Sequence, residues 1–244
     1  MNDYVLLFDI DGVVAQSPHE ESWKDAAIEY VLIDKDFNFT EFYQKHVAGI
    51  PGIRGAYVIL EELGYYRDKG IMSDEEKEKE AIKFREFKQK FVEKGIEDGN
   101  VKIFSDIISI IIQAKNNNIP VSAVSSSKNA EKILKKAGVY DLFDCHTLGA
   151  EKHRINKKEE LYILGFGKVL EKFQFNEIPI PIVFEDADKC IVAAKNNGYL
   201  CVGISRPGLS TIESLKEKGA DVAYDSALLK EKGFIGIMND LKGR

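Results

Sequence analysis

Cysteine is scarce in this chain of 244 residues: Cys145, Cys190 and Cys201 are an odd number and never fall in C-x-x-C spacing. That argues against a disulfide framework and points to a reducing compartment. Cys145, His146 and His153 lie close in sequence but in no compact zinc-ligand pattern, so they carry little weight as a metal site. No apolar run approaches the ~20 residues that a membrane-spanning helix needs. Met1-Asn2-Asp3 offers no basic n-region, and the apolar stretch behind it meets Asp9 early, so no signal peptide is expected. Positive charge is in deficit too, with 34 basic against 40 acidic residues and a net charge of −6. This speaks against nucleic-acid or anionic-membrane partners while leaving room for a local cationic pocket. The expectation is a cytoplasmic globular protein, monomeric or a small homo-oligomer.

What is present is enough apolar material, 44% of the residues, for a substantial buried core. Tyr4-Val5-Leu6-Leu7-Phe8 is a short continuous apolar run that stops at an acid, the pattern of a strand buried on both faces of a parallel sheet. Similar runs recur at Pro120 to Val124, Pro181 to Phe184 and Leu200 to Gly203. Helical patterns lie between them, at Ile107 to Ala114, Ala130 to Ala137, Glu159 to Phe173 and Ile191 to Asn196. Strands alternating with helices predict an α/β protein with a doubly wound parallel sheet. Residues 15–99 break the rhythm with helical patterns only. They end in a charged helix from Ser73 to Lys94, where Phe84, Phe87 and Phe91 mark one apolar face and Ser73-Asp74-Glu75-Glu76 supplies N-cap chemistry. The expected organisation is a core of residues 1–14 and 100–244 with an inserted all-helical domain over 15–99.

In such sheets ligands bind at the carboxyl ends of the strands. There the sequence places Asp9-Ile10-Asp11-Gly12, Ser125-Ser126-Ser127-Lys128-Asn129 and Glu185-Asp186-Ala187-Asp188. The acids suit a hard cation such as Mg²⁺, since carboxylate and carbonyl oxygens are its preferred ligands. The serines precede a helical pattern, where an N-cap and free N–H groups favour an anion. Together they describe a divalent metal beside a phosphate cradle, with a carboxylate able to attack phosphorus.

These clusters resemble the haloacid dehalogenase superfamily of aspartate-nucleophile phosphotransferases. The matching stretches are Phe8-Asp9-Ile10-Asp11-Gly12-Val13-Val14, Val124-Ser125-Ser126-Ser127-Lys128-Asn129, Phe184-Glu185-Asp186 and Gly203-Ile204-Ser205-Arg206-Pro207. The helical insert resembles the cap of the β-phosphoglucomutase-like branch. Pro18-His19 with Trp23 looks like its first helix, and Gly49-Ile50-Pro51-Gly52-Ile53-Arg54 like its substrate-facing loop. The resemblance implies a Rossmann-like core, Asp9 as nucleophile and metal ligand, and Asp11 as acid/base whose carbonyl also touches Mg²⁺. It implies Ser125 and Ser126 as phosphate contacts, Asp186 and Glu185 at the metal, and His19, Gly49 and Arg54 as substrate contacts.

The third family motif departs from the pattern. A Lys followed by Pro-x-Pro-Asp is usual, whereas Glu151 to Tyr162 holds no proline. Counting back from Tyr162 favours Lys157 as the phosphate clamp, then Lys158, then Lys152. Cys190 stands where many members have Gly. The function implied is a Mg²⁺-dependent phosphatase acting on a small phosphorylated metabolite, a sugar phosphate among the candidates, through an aspartyl-phosphate. A phosphomutase of the β-phosphoglucomutase kind shares every core residue. A catalytically silent phospho-ligand-binding protein is the alternative of another class. A receiver-type signalling module would be about half this length and carry no insert.

Overall fold

A computed structural model describes residues 3–47, 52–155, 157–207 and 210–243. The chain divides into two compact units, 1–16 with 101–244, and 17–100. In chain order, β1 (Tyr4–Phe8) and the short β2 (Ala15–Gln16) come first. Then follow α1 (His19–Tyr30), α2 (Phe39–His46), α3 (Gly52–Glu62), α4 (Tyr65–Asp68) and α5 (Asp74–Glu97). The chain continues through β3 (Lys102–Ile103), α6 (Ser105–Asn116), β4 (Val121–Ser125), α7 (Ala130–Lys136), β5 (Cys145–Leu148) and α8 (Lys158–Lys172). After these come β6 (Ile180–Glu185), α9 (Asp188–Asn196), β7 (Leu200–Ile204), α10 (Ile212–Glu217), β8 (Val222–Tyr224) and α11 (Ser226–Lys242).

The larger unit is an α/β layer on a six-stranded parallel sheet of order β5-β4-β1-β6-β7-β8. Connections from β1 run to β4 on one side and later to β6 on the other. A switch point therefore falls beside β1, where such sheets open a crevice at their carboxyl ends. β1 is buried on both faces, which explains its unbroken apolar run. Val5 and Leu7 share a core cluster with Leu161, Tyr162 and Val183. Leu6 and Phe8 alternate to the opposite face, where Phe8 stacks on Phe184 with centroids 4.3 Å apart. Fully burying each such side chain contributes about 1.5–3 kcal/mol, so β1 and its neighbours anchor the carboxyl edge firmly.

β5 and β8 have no counterpart in the sequence reading. Both lie at the ends of the sheet and are short, and β5 (Cys-His-Thr-Leu) carries no continuous apolar run. β2 pairs antiparallel with β3, joining the two places where the chain passes between units.

Within 17–100 the described elements are all helices. Trp23, Ala26, Ala27, Ile59, Leu60 and Phe84 form their core. Phe84 is fully buried on α5, and Phe87 and Phe91 pack against the same cluster. Ser73 caps α5 by accepting a hydrogen bond from the Glu76 N–H, and Glu76 returns the contact to the Ser73 backbone, a complete capping box.

Candidate active site

The sheet register brings the acids together. Phe8 pairs with Phe184 across β1 and β6, so Asp9 and Glu185 leave neighbouring strands at the same level. Phe8 also pairs with Ala123, which sets Ser125 two residues further along β4 on the other side of β1. Asp9, Glu185 and Asp186 each offer a carboxylate oxygen within 4.8 Å of the others. All three are buried, Glu185 completely. Gly12 has φ +89°, and a Cβ there would lie 1.9 Å from Asp186 Oδ2. Only a glycine lets the turn after β1 close upon that carboxylate.

Lys157, the expected clamp, does not face the carboxylates, whereas the residue after it does. Lys157 is the N-cap of α8, in extended backbone, and its side chain is exposed. Lys158, the first helical residue, turns inward. Its Nζ pairs with Asp9 Oδ1 and lies 3.0 Å from Glu185 Oε1. One helical turn on, Tyr162 donates its hydroxyl to the same Glu185 oxygen at 2.6 Å. Glu185 Oε2 accepts from the Asp186 and Ala187 N–H groups at 3.0 and 3.3 Å. Both Glu185 oxygens are thus engaged by the protein, which orients the side chain firmly. Lys152, the third choice, pairs with Glu131 instead.

Electrostatics follow from this crowding. Burial, then the charges of Glu185 and Asp11, push the Asp9 carboxyl up to about 7 although Lys158 pulls it down. Burial and the same neighbouring acids hold Asp186 well above the usual carboxylate range. Burial alone would lower Lys158, but Asp9 and Glu185 override it and keep the ammonium charged. Once ionised, the three clustered carboxylates would outnumber the Lys158 ammonium paired with them, and the donors are all hard oxygens. That set fits a divalent cation of the Mg²⁺ type. Among the described residues no other cluster of this kind is found.

Ser125 is buried, and its Oγ accepts from the Ser127 N–H at 3.2 Å. Ser127 likewise accepts from Asn129 N–H at 3.2 Å, and Asn129, not a serine, is the N-cap of α7. The expected serine cap is therefore replaced by successive Ser turns, a local alternative open to hydroxyl side chains. Ser126 is exposed, and its carbonyl accepts from Ala150. Asp11 is half-buried and bridges to Ala15.

In the helical unit His19 opens α1, with Nδ1 2.9 Å from the Nζ of buried Lys88, which in turn lies over Trp23. Arg54 is exposed on α3 with its guanidinium over Tyr57. Gly49 lies outside the described residues. Cys145 and His146 hold structural places: the thiol meets the Lys168 carbonyl, and the imidazole stacks on Tyr140 at 3.8 Å.

A family model for haloacid dehalogenase-like hydrolases matches residues 5–198. The chain belongs to that family. No curated protein matches it. Among solved structures it is similar to an archaeal β-phosphoglucomutase from the hyperthermophile Pyrococcus sp. strain ST 04, at 29% identity and TM-score 0.78, over 98% of this chain and 99% of that one. A β-phosphoglucomutase from Clostridium difficile is 28% identical, with TM-score 0.68, over 100% and 98%. A predicted phosphoglycolate phosphatase of Haemophilus somnus shares the fold at 16% identity and TM-score 0.69, over 98% of each chain. Members of the family typically use a divalent metal, and an acidic cluster of Asp9, Glu185 and Asp186 is present here. No helix among the described residues is long and apolar enough to cross a membrane.

Proposed function

We propose that this haloacid dehalogenase-like enzyme is a Mg²⁺-dependent phosphatase for a small phosphorylated metabolite, working in the cytoplasm without nucleic-acid or membrane partners. The observation that carries the reading is the convergence of Asp9, Glu185 and Asp186 with Lys158 bridging the first two. Asp9, Asp186, the Asp11 carbonyl and Glu185 would hold the metal. Bound there, Mg²⁺ supplies charge neutralisation for the acids and for phosphoryl oxygens.

Asp9 attacks phosphorus through a carboxylate oxygen, the ester P–O bond breaks, and Asp11 gives its proton to the departing oxygen. Water then attacks the aspartyl-phosphate, Asp11 takes the proton, and phosphate leaves with Asp9 restored. The Lys158 ammonium favours the ionised form of Asp9, against burial and the neighbouring acids, and is placed to meet a phosphoryl oxygen, in the role first expected of Lys157. Ser125, with Ser126 beside it, supplies the opposite side of the cradle. His19, Arg54 and Gly49 are proposed as substrate contacts, a reading that rests on the family resemblance.

A phosphomutase is the second reading, favoured by 28–29% identity to two β-phosphoglucomutases over nearly whole chains. Phosphate release from a panel of phosphorylated metabolites including β-glucose 1-phosphate, with Mg²⁺ and with EDTA, tests the first reading. Metal-dependent release from one or a few compounds is expected. Isomerisation of a sugar phosphate without net release would favour the mutase, and neither outcome would leave only a binding protein.

A further inference from the structure

Arg206 lies after β7 and is almost wholly buried. Its guanidinium has five N–H groups, and every one of them has an acceptor. Two run in fork fashion to Asp106, at 2.6 and 3.0 Å. One reaches the Ser226 hydroxyl at 2.6 Å. The remaining two go to main-chain carbonyls of the turn after β1: Nε to Gly12 at 3.3 Å and Nη2 to Val13 at 3.2 Å. One face of the guanidinium lies 3.9 Å from the Phe104 ring centroid, and the Phe104 N–H donates to the Val14 carbonyl. With no donor to spare, Arg206 does not reach for a substrate phosphate.

Its place in the larger unit gives it another task. The turn it grips carries Asp11, and through the bare Cα of Gly12 it abuts Asp186. Within the turn the Gly12 N–H donates to the Ala15 carbonyl, and the Val14 and Ala15 N–H groups donate to that of Ile10. Ser226 begins α11 and Asp106 lies in the first turn of α6, so Arg206 ties this turn to two helix starts. We infer that Arg206 is a positioning residue for the catalytic turn, fixing the Gly12 and Val13 carbonyls and thereby the places of Asp11 and Asp186. The inference rests on the phosphoryl-transfer reading above. A lysine keeps the charge facing Asp106 but cannot span both carbonyls and the carboxylate with one planar fork.

The test compares Arg206→Lys and Arg206→Met with Leu241→Ala, a core truncation on α11 that serves as the control for lost stability alone. Amide hydrogen exchange is followed on residues 10–15 and on β6 in each folded protein. In Arg206→Lys the Gly12, Val14 and Ala15 amides are expected to exchange roughly tenfold faster or more, while β6 is unchanged, a local opening distinct from global unfolding. With p-nitrophenyl phosphate and Mg²⁺, kcat is expected to fall by about 10- to 100-fold at little-changed KM, as misplacement of reacting groups by an ångström can cause. Leu241→Ala is expected to lower the melting temperature without either effect. Unaltered exchange over 10–15, or a uniform rise matching Leu241→Ala, would overturn the inference. Should wild-type protein hydrolyse no phosphate ester, the functional reading fails and the exchange arm decides the anchoring role by itself.

Discussion

Which of Lys157 and Lys158 lies against the carboxylates turns on a single step of helical rotation. Lys157 has extended backbone and points to solvent, while Lys158 enters the first turn of α8 and pairs with Asp9 and Glu185. Replacing Lys158 by Ala removes the ammonium that pairs with Asp9 and Glu185 and should cut kcat by about 10²-fold or more. Lys157→Ala should leave steady-state kinetics unaltered. A reversal of these two results would return the clamp to the position first expected. Gly12 makes an equally local demand. Gly12→Ala puts a methyl group on Asp186 and strains a positive φ, so it should destabilise the fold by more than about 1 kcal/mol. It should also weaken Mg²⁺ binding, read by calorimetry.

Among the elements, α8 joins the chemistry to the core. Lys158 and Tyr162 stand four residues apart on one helical face, and both meet Glu185 at the end of β6. Tyr162→Phe keeps the packing but removes one donor from a fully buried carboxylate. A fall of about tenfold in metal affinity with an intact fold is expected, as for other groups that orient metal ligands. Undiminished affinity would mean that the Tyr162 hydroxyl does not orient this carboxylate for the metal. This link was hidden in the sequence, because the family's prolines are missing before α8 and no spacing rule aims a lysine at a strand end. β1, β4, β6 and β7 were legible because strands buried on both faces read as mainly apolar runs. β5 and β8 were not, since short strands at the sheet's ends lack that pattern. Arg206 carries a motif resemblance, but its partners Asp106 and Ser226 are far away in sequence and only the fold brings them together.

For the molecule as a whole, the carboxylate cluster is expected to couple stability to pH and to metal. Asp9 titrates near 3.8 when unfolded and near 7 in the metal-free fold. The folded state therefore binds the extra proton, and this group's contribution to stability declines as pH rises from about 4 through about 7. Lys158 is raised from an already high value, so its stabilisation is constant across that window and is lost only in strong alkali. Asp106 acts in the opposite sense. Burial would raise it, but Arg206 and Ser226 hold it below the ordinary carboxylate value, and its contribution is lost only at lower pH. Mg²⁺ must displace the proton from Asp9, so the rise in melting temperature on adding Mg²⁺ should grow between about pH 5 and pH 8. A metal effect independent of pH would show that Asp9 is not at the metal.

As the nucleophile, Asp9 becomes phosphorylated during turnover, and acid quenching of the enzyme with Mg²⁺ and a phosphorylated substrate, followed by peptide mass mapping, would reveal the modified residue. One phosphoryl group on the peptide containing Asp9, labile to hydroxylamine and absent from Asp9→Asn, is the expected result. Turnover with no acyl-phosphate on that peptide, or turnover that survives Asp9→Asn, would contradict it.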